Sequence, residues 1–149
     1  MDYLLVDTQT VNDADLAADF VDVLAYTDAA KMVRLCAVVD IGLGAGTQLA
    51  GDIDTILTFR LFIAGRFVTE SKRKIPEGQT QARILIEPFL LEQDDEAVLK
   101  MLSDNEDDDD VDVVARVYTV RQTAEIVELT SEEVLNRVRS IRTYSARTK

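Results

Sequence analysis

Between Met32 and Arg121 the chain reads almost entirely as strands separated by turns and one glycine-rich loop, with apolar and polar residues alternating along several of the strands. That pattern confines it to β-structure, because successive side chains of a strand point to opposite faces. Two runs set the tone, Ile56-Leu57-Thr58-Phe59-Arg60-Leu61-Phe62-Ile63 and Val111-Asp112-Val113-Val114-Ala115-Arg116-Val117-Tyr118-Thr119-Val120. Both are rich in the β-branched and aromatic residues that a pleated, half-buried surface prefers.

Over 31–42, Val33, Leu35, Ala37, Val39 and Ile41 share one face, and Met32, Arg34, Cys36, Val38 and Asp40 share the other. Residues 55–63 and 66–75 predict a hairpin through Ala64-Gly65, with the glycine supplying the positive φ of a tight turn. Leu57, Phe59, Leu61 and Ile63 form its core face. Further strands are expected over 81–91, with Ala82, Ile84 and Ile86 inward and Pro88 marking an edge or bulge, over 96–102 and over 111–121. Residues 18–26 read as a strand, with a helix still open there because Leu16, Phe20, Val23 and Leu24 have helical spacing and Asn12 suits a cap. The sum is an all-β chain, an antiparallel β-sandwich of about seven strands, jelly-roll or immunoglobulin-like, over residues 18–129. Residues 1–17 read as a polar N-terminal arm. Residues 130–149 read as a C-terminal helix and basic tail, opened by a Thr130–Glu133 capping box and striped by Val134, Leu135, Val138 and Ile141.

A chain of 149 residues with 47% hydrophobic content suits one domain with a real core. Its formal net charge of -12 and pI near 4.3 set it against nucleic acid and anionic membranes as partners. It has no histidine, which removes the commonest general base and a leading metal ligand. The single cysteine, Cys36, has no partner for an internal disulfide. No apolar run approaches the roughly 18 residues of a membrane helix, and the acidic start lacks a signal peptide's basic region, so synthesis in the cytoplasm is expected.

The acidic loop is the one place that suggests a metal. Asp104, Asp108 and Asp110 are candidate Ca²⁺ ligands, since hard oxygen donors alternate along 104–112. A helix-loop-helix calcium motif would need glycine where Asp109 stands and glutamate where Ala115 stands, so a solvated turn is the plainer reading. The glycines of 42–51 lead into a strand and not the helix that a phosphate cradle uses. Carboxylate pairs for glycoside hydrolysis lack aromatic company, and Cys36 lacks a base, so no catalytic residue and no cofactor is expected.

Charge is unevenly spread. Residues 131–149 carry +3 against -15 on residues 1–130. The apolar stripe of Val134, Leu135, Val138 and Ile141, with Arg137, Arg139, Arg142, Arg147 and Lys149 beside it, is therefore the expected partner-binding element. A helix folded back on its own acidic domain is the alternative.

At Phe20-Val21-Asp22-Val23-Leu24, Ala37-Val38-Val39-Asp40-Ile41-Gly42 and Leu57-Thr58-Phe59-Arg60-Leu61-Phe62-Ile63-Ala64-Gly65 the chain resembles small β-sandwich virion proteins of tailed bacteriophages. The likeness continues through Glu87-Pro88-Phe89-Leu90-Leu91 and Ser103-Asp104-Asn105 to Val111-Asp112-Val113, spanning about residues 18–120. The resemblance implies a non-enzymatic structural protein of the virion, made in the host cytoplasm. Its implied partners are capsid, head–tail or tail proteins and other copies of itself. A carbohydrate- or Ca²⁺-dependent surface-binding module is the second expectation, motivated by the acidic loop.

Overall fold

A computed structural model describes residues 2–42 and 53–121. Eight strands run through them: β1 (Asp2–Ala14), β2 (Val21–Thr27), β3 (Val33–Ile41), β4 (Thr55–Ile63), β5 (Arg66–Ile75), β6 (Ala82–Leu91), β7 (Glu96–Ser103) and β8 (Val111–Arg121). The described residues contain no helix. The expected C-terminal helix and most of the glycine-rich segment lie outside them.

The strands form two four-stranded sheets, in the orders β1-β8-β3-β6 and β2-β7-β4-β5. Each strand of the first half neighbours its mirror in the second half: β4 with β5, β3 with β6, β2 with β7, β1 with β8. The centre of this arrangement is the Ala64-Gly65 turn, with φ of 52° and 76°. Positive φ at both central residues is the turn that matches strand twist, and glycine carries it without steric cost. Antiparallel pairs β3·β8 and β4·β7 then join the mirrored pairs into sheets.

Alternation decides which face is buried. Val33, Leu35, Ala37, Val39 and Ile41 of β3 meet Leu57, Phe59 and Leu61 of β4, Ala97, Leu99 and Met101 of β7, and Val111, Val113, Ala115 and Val117 of β8 in one core. Of residues 18–26, those from Val21 on form the strand β2, with Val23 and Leu24 buried, while 18–20 belong to the preceding turn. Pro88 sits at a bulge, because β6 places Glu87 and Pro88 opposite Cys36 alone, between the pairs Leu35↔Phe89 and Ala37↔Ile86. A residue without an N–H is tolerated there because β6 is an edge strand.

Residues 2–14, read from sequence as an arm, are instead the 13-residue edge strand β1. Among the described residues the strands therefore number eight and not the expected seven or so. Only Ala14 of β1 is buried. A strand exposed on both faces has no apolar alternation to announce it.

Burial predicts the stability response. Leu57→Ala, in the core, is expected to cost about 2–5 kcal/mol in urea denaturation, whereas Leu90→Ala, on the exposed edge of β6, stays within about 0.5 kcal/mol. Equal losses at the two positions would contradict this assignment of faces.

Candidate interaction surface

Three regions of the unit Tyr3–Val120 gather functional chemistry: an ion network on one outer face, a polar knot at one end, and an open slot along one edge. The outer face of the β1-β8-β3-β6 sheet is built by the outward residues of the alternation. Val38 stands between Arg116 and Leu85, Asp40 between Val114 and Arg83, and Cys36 opposite Tyr118. Asp40 points outward yet is only 3% exposed, because two arginines cover it. Arg83 Nε donates to Asp40 Oδ1 at 2.7 Å, and Arg116 donates from an Nη to Asp40 Oδ2 at 2.8 Å. The Arg83 hydrogen bond, aided by the charges of both guanidinium groups, holds the Asp40 carboxyl below the usual carboxylate range against the opposing effect of burial. Beside this network Tyr3, Val38, Leu85, Pro88 and Tyr118 line a shallow apolar cavity of about 400 Å³. Burial pushes the Cys36 thiol in its wall upward, away from the reactive thiolate.

The acidic loop is a folded knot and not a loose solvated turn. Asp108 and Asn105 are each 1% exposed. Ser103 Oγ donates to Asp108 Oδ2 at 2.6 Å, the Asn105 amide reaches Thr55 Oγ1 at 3.2 Å, and Asp104 Oδ1 accepts from the Ile56 N–H at 2.7 Å. Leu16, fully buried, is stitched in by its N–H to the Asp108 carbonyl and by its own carbonyl to the Ser103 N–H. Asp104 and Asp108 thus each engage one carboxylate oxygen with the protein. Asp110 lies instead with Asp13 and Asp112: Asp13 shares a carboxyl–carboxyl hydrogen bond with Asp110, which raises the Asp13 pKa, and the negative charges of Asp110 and Asp112 add to the rise. Among the described residues no group of three or more acidic or thiol ligands is placed to hold a metal ion.

The two long edges of the paired sheets differ. On the β1/β2 side the Gln9 side chain seals the gap, donating to the Ala25 carbonyl at 2.6 Å and accepting from the Ala25 N–H at 3.0 Å. On the β5/β6 side a slot of about 440 Å³ reaches in to Phe59, Leu61 and Leu99 of the core, between Val68 and Thr69 on one wall and Ile86 and Phe89 on the other. Nine of the ten residues of β5 are exposed, Phe67 to 57%. The Lys72-Arg73-Lys74 triplet lies on this edge, as a strand blunted by charge would have it.

The expected partner-binding residues Val134, Leu135, Arg137, Val138, Arg139, Ile141, Arg142, Arg147 and Lys149 lie outside the described residues. Asp104 and Asp108 come together in the knot and Asp110 lies beside it in the carboxylate cluster. Sequence reasoning passed over Asp40 and its two arginines, because their approach depends on the register of three strands. No protein-family model matches the chain, and a search of curated proteins finds no match.

The two carboxylates predict opposite pH responses. Asp40, with its pKa lowered by folding, contributes stability above its unfolded pKa near 4 that is lost as pH falls below it. Asp40→Asn is expected to cost about 1–3 kcal/mol at pH 7 and to flatten the acid limb of the stability curve. Asp13, with its pKa raised, favours the fold at low pH and loses that contribution as pH rises through its folded pKa. Asp13→Asn is therefore expected to raise Tm at pH 7 and to change little below about pH 4; an unchanged Tm at neutral pH would contradict the carboxylate repulsion. Asparagine also keeps the positive φ of 55° at this position.

Calcium titration checks the knot. A specific site at saturating Ca²⁺ would add a few kcal/mol, whereas one engaged oxygen on each of Asp104 and Asp108, and no group of three ligands placed for a metal among the described residues, predict an unchanged thermal midpoint.

Proposed function

We propose that this chain is a non-enzymatic structural protein of a phage particle, a jelly-roll β-sandwich that binds the capsid or head–tail assembly and stabilises it. The observation that carries this reading is where the exposed apolar side chains sit. Of the large apolar side chains exposed among the described residues, Tyr3, Leu4, Leu5 and Val6 lie on β1, Phe67 and Val68 on β5, and Leu85 and Leu90 on β6, all three edge strands, while Met32, Ile53 and Ile56 lie elsewhere. Apolar groups gathered on unpaired edges suit a protein that completes its burial against neighbours.

The strand order supports the jelly-roll part of the proposal. Sheets ordered β1-β8-β3-β6 and β2-β7-β4-β5 follow the succession of eight strands wound as two Greek keys. Viral capsid proteins use that architecture, as do lectins and cupins, so the fold raises the expectation by analogy alone. The acidic body and the basic residues of 131–149 give such an assembly opposite charges to bring together.

Quantifying the chain in purified particles tests the proposal. It is expected at a fixed copy number set by the symmetry of the position it occupies. Absence from particles would overturn it. Deletion of 131–149 is expected to abolish incorporation while the β-sheet circular-dichroism spectrum persists; incorporation at the normal level would shift attachment to the sheet edges.

A further inference from the structure

The slot between β5 and β6 opens onto core residues, and an apolar opening of that kind calls for an occupant. The chain itself carries one of suitable chemistry. Tyr3, Leu4, Leu5 and Val6 are four consecutive exposed apolar residues on the edge strand β1. They lie before the point where Gln9 ties β1 to β2, so this part of the edge is the part that the Gln9 bridge leaves open.

Charge favours the same match. Strand β5 carries Arg66, Lys72, Arg73 and Lys74 against Glu70 alone, a local excess of +3 in a chain of net charge -12. Residues 3–28, which hold β1 and β2, contain six aspartates and no lysine or arginine. Three of these groups already have ion partners, Lys74 with Asp54, Glu70 with Arg60 and Asp22 with Lys100, which leaves both surfaces with the same sign as before. One long edge of the molecule is thus acidic with an apolar tip, and the other is basic along β5 with a mainly apolar slot whose lining also holds Thr69, Ser71 and one charged group, Glu87.

We infer, building on the assembly role proposed above, that the β5/β6 slot of one copy receives the Tyr3–Val6 segment of β1 from a second copy of this chain. The contact is heterologous: each copy gives one surface and takes the other. Such a contact propagates until it closes into a ring or continues as a stack. Edge-to-edge addition of an extended segment supplies backbone hydrogen bonds, and the slot supplies selectivity for the apolar side chains.

Sedimentation of the full chain tests this with two variants, each changing exposed residues on one surface only. Leu4→Lys combined with Leu5→Lys spoils the tip and leaves the slot; Val68→Glu combined with Arg73→Glu spoils the slot and leaves the tip. Wild type is expected to associate with rising concentration, and to dissociate in about 1 M salt, where charges are screened within roughly 3 Å. Each variant alone is expected to associate at least about tenfold more weakly, which is ~1.4 kcal/mol. An equimolar mixture of the two is expected to form dimers and stop there, since one good tip meets one good slot. Should either pair of changes disturb the β-sheet spectrum, Leu5→Ser and Val68→Ser test the same surfaces more gently.

A wild type that stays monomeric, a variant that assembles like wild type, or a mixture that stays monomeric overturns the inference. Particle content separates this from the assembly role. A chain found in particles but monomeric in solution loses only the self-contact, and a chain that self-associates but is absent from particles loses only the particle role.

Discussion

Pairing each strand of the first half with its mirror in the second is the constraint on which everything else rests. The Ala64-Gly65 turn brings β4 against β5, and every later pair then follows in sequence order outward from it. Because the mirrored pairs are shared between two sheets, the apolar face of each strand has only one place to go, the common core. The same constraint puts the first and last strands side by side and leaves β1, β2, β5 and β6 as the four ends of the two sheets.

Edges managed so differently within one molecule connect the fold to its proposed work. Gln9 meets both backbone groups of Ala25 on one side, so a single amide replaces the missing neighbour strand there. The knot of Ser103, Asn105 and Asp108 fastens Leu16 and Thr55 at one end with buried, mutually satisfied polar groups. A buried network of this kind fixes geometry because leaving any member unpaired costs the full desolvation of that group. With one edge and one end secured, the β5/β6 opening is a local feature of a held framework, where the bulge at Glu87-Pro88 bends the edge strand beside it.

Much of the sheet structure was legible in the residues, because a one-sided core writes a period of two into every strand that lines it. Val33 to Ile41 and Leu57 to Leu61 have the faces their alternation predicts, Gly65 has its positive φ, and Pro88 marks a bulge. β1 was not legible, since a strand exposed almost throughout, with its apolar residues clustered at Tyr3–Val6 and not alternating, looks like an arm until its partner β8 is known. Asp40 read as an outward residue, which it is; its burial comes from arginines 43 and 76 positions away. In the same way Asp108 looked like one more solvated acid, because nothing local says that Ser103 and the Leu16 backbone will close over it.

The mirrored order has a consequence for the chain as it leaves the ribosome. β1 is made first, yet its neighbour β8 begins only at Val111. At synthesis rates of about 5–20 residues per second, the leading strand waits roughly 5–20 seconds for that neighbour. An unpaired strand of that length invites wrong pairing with other nascent chains. Asp2, Asp7 and Asp13 give β1 negative charge and no positive one, so like stretches on neighbouring nascent polypeptides repel.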